Sequence, residues 1–260
     1  MTIGPNERLE RSQWDFFWVP EDVDVLDRPE VAAVRSEHPN PHLNMVTRTR
    51  MESPRLGALV REMGAWFGRR EARWLVPDTV DRRPLEAALS ADGWAPAGRY
   101  EARAIRPEGY VKAPPRDVEV RRVESAEVLR DCVAVTGAAF GRDMTLGPRL
   151  EVSELAQCQS PAGRVHRYVV YRDGRPICSG GFNWYPDLRF AFLWAGGTAA
   201  DARGGGAYTA LVHARVQAAA ALGAEWVGLY AKDDTSAPIV ARQGFEPFGE
   251  MTYWGRAGGE

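Results

Sequence analysis

The 260-residue sequence predicts a mixed α/β fold of the α+β kind: a mostly antiparallel sheet flanked by helices, preceded by a second, smaller α/β domain. Three observations lead there. Two turn signals, Asp173-Gly174 and Pro186-Asp187, separate runs that read as strands joined in hairpins. A glycine run, Gly204-Gly205-Gly206, opens a long helical pattern. The pattern G-aromatic-x-P-x-G occurs twice, as Gly93-Trp94-Ala95-Pro96-Ala97-Gly98 and as Gly244-Phe245-Glu246-Pro247-Phe248-Gly249.

In the first half, Asn44 to Thr49 reads as a strand, and Trp74-Leu75-Val76 parallels Trp226-Val227-Gly228. Each of these two segments follows a helix and precedes a turn and a short helix. The period of about 150 residues suggests duplication rather than a solenoid. The segment Ile105 to Asp117 carries three prolines and a glycine, which marks a linker and divides the chain near 112, into 1–112 and 113–260. In the second half, Val118 to Val123 alternates as a strand, and Ser125 is the expected N-cap of a helix to Phe140. A helix from about Pro148 to Gln159 follows. Strands are then expected at Arg167–Tyr171, Pro176–Trp184 and Arg189–Thr198, and an amphipathic helix from about Gly205 to Leu222. A strand Glu225–Ala231, a short helix Ser236–Gln243 and a closing ribbon Glu246–Trp254 complete the order.

Composition narrows the function classes. The formal charge is only -2, without the basic footprint of nucleic-acid or acidic-membrane binding. Cys132, Cys158 and Cys178 are odd in number and show no CxxC spacing, so neither a disulfide framework nor a zinc site is suggested. The N-terminus lacks the apolar run of a signal peptide, and no window approaches about 18 apolar residues. The expected location is cytoplasmic. His38 and His42 would suit a metal only on a helix, which Pro39 and Pro41 forbid; no metal is expected.

The chemistry concentrates at Asp201-Ala202-Arg203-Gly204-Gly205-Gly206-Ala207-Tyr208, between a strand and a helix. Three glycines there are costly for a helix start alone. They let backbone approach a ligand, while unpaired N–H groups and the positive end of the helix favour an anion such as pyrophosphate. A Walker loop would need Lys and Ser or Thr at the helix entrance, where Ala207-Tyr208-Thr209 stands. A dinucleotide fingerprint would sit early in a βαβ unit, whereas this loop follows hairpins.

The loop resembles the R-x-x-G-x-[small] loop of the GNAT N-acetyltransferase superfamily, over about residues 117 to 257. Thr235-Ser236-Ala237-Pro238-Ile239 with Gln243-Gly244-Phe245 is similar to that family's S-A-x-x-x...GF segment. The resemblance implies that Arg203, Gly204, Gly205, Gly206, Ala207 and Tyr208 bind the pyrophosphate of coenzyme A. It implies that the preceding strand, with Ala195, Gly196, Gly197 and Thr198, pairs with pantetheine, and that a backbone N–H near Ala195 or Gly196 serves the oxyanion. Tyr208 departs from the family's small residue at the last loop position. The family's acid tyrosine, five residues before the Phe, is here Val240; Tyr230 and Ser236 are the candidate substitutes. Glu154, Asp143 and His166 are candidate bases only by their place beside the acceptor segments. Phe182-Asn183-Trp184-Tyr185 and Phe190 could wall an acceptor pocket or simply form core.

The implied co-substrate is acetyl-CoA, without metal. The implied partner is a small-molecule primary amine, with no nucleic acid or membrane, and a homodimer is the candidate assembly. A catalytically silent acyl-CoA-binding sensor or scaffold, and a protein lysine or N-terminal acetyltransferase, stand as alternatives. In the first half the counterpart of the glycine loop falls near Met51-Glu52-Ser53-Pro54-Arg55, which holds no glycine, so that domain reads as a degenerate copy that does not bind coenzyme A.

Overall fold

A computed structural model of the chain describes residues 3–37, 41–51, 53–142, 144–160 and 162–258; the expectations for His38, Pro39, Glu52 and Asp143 fall outside them. The chain forms two compact units whose division is not linear. One comprises Met1–Arg103, Tyr230–Pro238 and Pro247–Glu260; the other comprises Ala104–Leu229 and Ile239–Glu246. The break after Arg103 lies ahead of the proline-rich segment expected to be the linker. That segment is fastened within the second unit: Tyr110 Oη donates to Gln243 Oε1 at 3.0 Å, and His213 Nδ1 donates to Lys112 O at 3.1 Å. Pro107 opens a short 3-10 turn, Pro107–Gly109, and Pro115 lies against Gly206.

The first unit holds helix α1 (Pro5–Arg11), strands β1 (Asp24–Arg28), β2 (Val31–Arg35) and β3 (Met45–Thr49), helix α2 (Ser53–Phe67), strand β4 (Ala72–Pro77), helix α3 (Arg83–Ala91) and strand β5 (Ala95–Ile105), which runs on past its boundary. The β1-β2-β3 meander is antiparallel, and β3 and β4 are parallel across α2, with Met45 opposite Arg73 and Val46 opposite Trp74. Trp74, Phe67 and Trp94 stack edge to face in its core, and Trp74 Nε1 donates to Thr49 Oγ1 at 2.8 Å. Helix α3 ends on Gly93, whose φ of 81° lets Trp94 N–H reach back to Leu89 O at 3.0 Å.

The second unit begins with β6 (Glu119–Arg122), α4 (Ala126–Phe140) and α5 (Pro148–Gln159), and continues with β7 (Val165–Arg172), β8 (Arg175–Tyr185), β9 (Phe190–Thr198) and α6 (Ala207–Ala221). Ser125 caps α4 as expected, its Oγ accepting from Val128 N–H. Asp173 and Gly174 both have positive φ, the geometry a tight β7–β8 hairpin needs. Strands β10 (Trp226–Lys232) and β11 (Glu246–Arg256) flank α7 (Ala237–Arg242). The strand order in this unit is β10-β9-β8-β7-β6, antiparallel except that β9 and β10 run parallel across α6. Helices α4 and α6 cover opposite faces of β9: a Cβ on Gly197 would strike Ala139, whereas one on Gly196 would meet Tyr208 and Arg215.

Strand β11 leaves this arrangement. Its residues from Pro247 onward belong to the first unit, where Met251 to Arg256 pair antiparallel with Pro77 to Ala72 of β4 and Trp254 enters the tryptophan core. Phe182, Trp184, Tyr185 and Phe190 are buried, so the aromatic set of the hairpin is core.

Candidate functional site

Strand β9 carries the geometry of the site. Its parallel pairing with β10 covers three residues and stops at Phe192 opposite Gly228, yet β9 continues to Thr198. On the other edge, Gly181 faces Trp194 and Ser179 faces Gly197, so Ala195 and Gly196 together oppose Gly180. This is a β-bulge, with Ala195 held at φ 48°, a left-handed conformation that costs an alanine about 1 kcal/mol. Bulges re-aim backbone groups out of a ladder. Ala195, Gly196, Gly197 and Thr198 therefore form one irregular strand end at which β10 no longer supplies partners.

The chain then turns through Ala200–Ala202 and reaches the glycines. Gly204 and Gly206 have φ of 81° and 78°, and Gly206 is the N-cap of α6. The first intrahelical bond is Ala210 N–H to Gly206 O, so the N–H groups of Ala207, Tyr208 and Thr209 lie ahead of the helical ladder, and no acidic residue stands in that turn. Arg203, exposed, donates from Nε to Thr198 O at 3.3 Å, tying the loop to the end of β9. The resulting rim of amide donors and one guanidinium suits an anionic ligand and would repel a cation.

Two arginines that the sequence reading did not single out brace this loop from the β7–β8 hairpin. Arg172 Nη2 donates to Gly205 O at 2.7 Å while its Nε pairs with Asp117 at 2.9 Å, and Arg175 pairs with Asp201 at 2.5 Å. A Cβ on Gly205 would lie 2.6 Å from Arg172 Nη1, and one on Gly206 would lie 2.5 Å from Pro115 Cγ. Gly204 and Gly206 serve the turn by their positive φ, and Gly206 by its contact with Pro115 as well, whereas a methyl at Gly205 would meet only the end of the flexible Arg172 side chain. The local signal was the placement of Arg on both sides of Asp173-Gly174, but only the hairpin's position beside the loop gives it meaning.

Tyr208, the departure from the small residue at the loop's end, points under the sheet. Its ring lies against Gly196, where a Cβ would come within 3.1 Å of Cε2, and the Arg215 guanidinium sits 6.0 Å from the ring centre. The side chain fills the space that Gly196 leaves, and the loop's outer rim stays clear.

The other candidates fall in both units. Tyr230 and Ser236 belong to the first unit, whereas Ala195–Tyr208 belong to the second. Tyr230, partly buried, packs against a cluster that includes Leu75, Met251 and Tyr253, and desolvation holds its hydroxyl well above the ordinary range. Ser236 Oγ accepts from Lys232 N–H at 2.7 Å, closing the turn before α7. Val240 is buried, and its carbonyl accepts Phe245 N–H at 3.2 Å. Glu154 is ion-paired with Arg167, whose guanidinium lies 5.0 Å from the Trp194 ring centre. His166 is buried and stacked on Phe182 at 4.4 Å; its Nε2 donates to Gly163 O, and burial lowers its pKa, keeping the ring neutral.

No family model and no curated protein sequence matches the chain. Solved structures do. A GCN5-related N-acetyltransferase from Kribbella flavida is 18% identical, with a TM-score of 0.74 over 100% of this chain and 97% of its own. Another from Sphaerobacter thermophilus is 16% identical, with a TM-score of 0.64 over 90% and 75%. A tandem GNAT protein from the clavulanic acid biosynthesis pathway is 13% identical, with a TM-score of 0.59 over 97% and 88%. By these likenesses the chain has the fold of the GCN5-related N-acetyltransferases.

Proposed function

We propose that the chain is an acyl-CoA-dependent N-acetyltransferase that moves acetyl from acetyl-CoA to a primary amine of a small molecule. The observation that carries this reading is the continuity of the β9 bulge, the free strand edge and the glycine loop at the α6 N-terminus. Pyrophosphate would take the amides from Gly204 to Tyr208 and the Arg203 side chain, and pantetheine would pair with β9 beyond Phe192. The thioester would then reach the Ala195–Gly196 bulge, whose backbone N–H would serve the oxyanion. In the transfer the amine lone pair forms the C–N bond and the C=O π pair moves to oxygen. Its return breaks the C–S bond, the nitrogen gives its proton to solvent, and the departing thiolate takes one up.

The first unit fits a degenerate GNAT-like copy, supported by its own β3-α2-β4-α3-β5 order and by the absence of a glycine before α2. A second reading, a silent acyl-CoA-binding module, is favoured by Val240 in the place of the family's acid and by the burial of the Tyr230 hydroxyl oxygen. Absence of an acid slows expulsion without forbidding it, because a thiol of pKa about 8.5 makes a tolerable leaving group.

Titration calorimetry with acetyl-CoA, with coenzyme A and ATP as controls, tests the site. One micromolar site per chain supports it, and no binding refutes it. Thiol release that depends on an added amine then separates the enzyme from the silent module.

A further inference from the structure

The middle of α6 carries a charge with no counter-ion. Arg215 is 1% exposed, and among the described residues it enters no ion pair. Its Nη1 donates to Gly181 O at 3.2 Å and its Nε reaches Leu211 O at 3.4 Å, while Nη2 has no hydrogen-bond partner among the described residues. The sheet is hollowed to admit it. A Cβ on Gly180 would lie 3.1 Å from Nη1, and one on Gly196 would lie 3.1 Å from Nη2. Both glycines belong to the β8–β9 bulge.

The polar neighbours do not neutralise this charge. Burial pushes the Cys178 thiol up to about 11 and the Tyr110 hydroxyl up to about 12, and raises Tyr208 and Tyr168 as well, although Arg215 pulls each of them down. All four therefore stay protonated and neutral near pH 7. A buried, unpaired guanidinium is among the costliest groups a core can hold, and an apolar side chain of similar volume there commonly gives a more stable fold. Its retention under the bulge calls for a benefit that folding does not supply.

We propose that Arg215 is a positioning residue for acyl transfer: its guanidinium props the Ala195–Gly196 bulge from beneath and sets a fixed positive charge under the carbonyl that becomes the oxyanion. This rests on the acyltransferase reading above. The charge acts through the bulge and its low-dielectric surroundings, already oriented before reaction, and favours the transition state over the neutral thioester. It leaves the pyrophosphate loop, two helical turns away along α6, to set affinity.

The test compares the wild-type chain with Arg215→Met and Arg215→Lys in three measurements: acetyl-CoA binding by calorimetry, steady-state turnover, and thermal unfolding. Arg215→Met should keep the acetyl-CoA Kd within about threefold, lower kcat about 10- to 100-fold, and leave the melting temperature unchanged or higher. Arg215→Lys should recover much of the lost kcat. Arg215→Gln, which retains a donor for Gly181 O, replaces the Met variant if that variant does not fold. Unchanged kcat overturns the proposal. So does a parallel loss of affinity, turnover and melting temperature, which marks a purely structural residue. Failure of the wild-type chain to bind acetyl-CoA instead removes the acyltransferase reading and this role with it.

Discussion

The segments β3-α2-β4-α3-β5 and β9-α6-β10-α7-β11 are built alike and equipped differently. Each opens with a strand and a 15-residue helix and returns to a parallel strand. Each then closes a short helix on a glycine of positive φ, Gly93 or Gly244, with the next aromatic N–H bonded back to the carbonyl of Leu89 or Val240. The joints that govern folding are thus matched. The connection from strand to helix is not: Thr49 reaches α2 at Ser53 within three residues, whereas Thr198 reaches α6 at Ala207 through a braced glycine turn. At the second start, three amides lie ahead of the helical ladder and Arg172 braces the loop at Gly205 O. The contrast sets a plain strand-to-helix connection beside one built on glycines, of which Gly204 and Gly206 serve the turn itself by their positive φ while Gly205 meets only the Arg172 side chain.

The largest test of this comparison concerns β11. If the first unit truly takes its final strand from the C-terminus, a chain ending at Glu246 loses the β4 partner along with Met251, Tyr253 and Trp254 from its cores. Emptying three such sites at roughly 2–5 kcal/mol each removes an amount comparable to the whole stability of an ordinary domain. The first unit should then show no cooperative unfolding, and hydrogen exchange should find β2–β4 unprotected. A fragment 1–112 that folds cooperatively would support the linear division at 112.

That result would also measure what sequence can reveal. Local signals were sufficient for the second unit: Ser125 caps where a cap was expected, Asp173-Gly174 turns as its φ preferences demand, and the strands lie within a few residues of their patterned runs. The glycine loop was legible because three glycines before a helix have few uses. The allegiance of β11 was not, because strand pairing across more than 170 positions leaves no local trace. Arg215 was hidden for a related reason. On an amphipathic helix a charged residue reads as solvent-facing, and only the facing glycines of β8 and β9 reveal that it points inward. The bulge was concealed by its own residue, since an alanine at φ 48° carries none of the glycine signal that usually marks the conformation.

A smaller effect is expected from the brace that distinguishes the two helix starts. Arg172→Ala removes the bond to Gly205 O and the pair with Asp117, and Gly205→Ala displaces the same guanidinium. Each should weaken acetyl-CoA binding about 10-fold while leaving the fold intact, consistent with about 1.5 kcal/mol, the lower end for one charge-assisted bond. Equal affinity in both variants would mean that the loop is set by its glycines alone.

Acid should discriminate between the units next. Burial lowers the pKa of His166 in the second unit, so the unfolded chain takes up that proton first as the pH falls. The stabilisation is complete above the unfolded value of about 6.5 and is lost as the pH falls through the interval down to the folded value. Urea midpoints measured from pH 7.5 to 5.0 should decline for the wild-type chain and decline less for His166→Phe, which keeps the stack on Phe182. Identical slopes would remove His166 from the account.

The smallest effect sharpens the contrast between glycines. Gly57 lies inside α2 with ordinary space around it, its nearest neighbour for an added Cβ being Arg61 Nη1 at 3.7 Å. Nothing there requires glycine, and an alanine restricts the unfolded chain while favouring the helix. Gly57→Ala should therefore raise stability by about 0.5–1 kcal/mol, read as a higher urea midpoint at constant slope, without altering acetyl-CoA binding. The same methyl added at Gly205 should do the reverse, sparing stability and costing affinity. If both substitutions moved the same quantity, glycine would serve the two helices alike, and the division between an architectural and a ligand-directed helix start would fall.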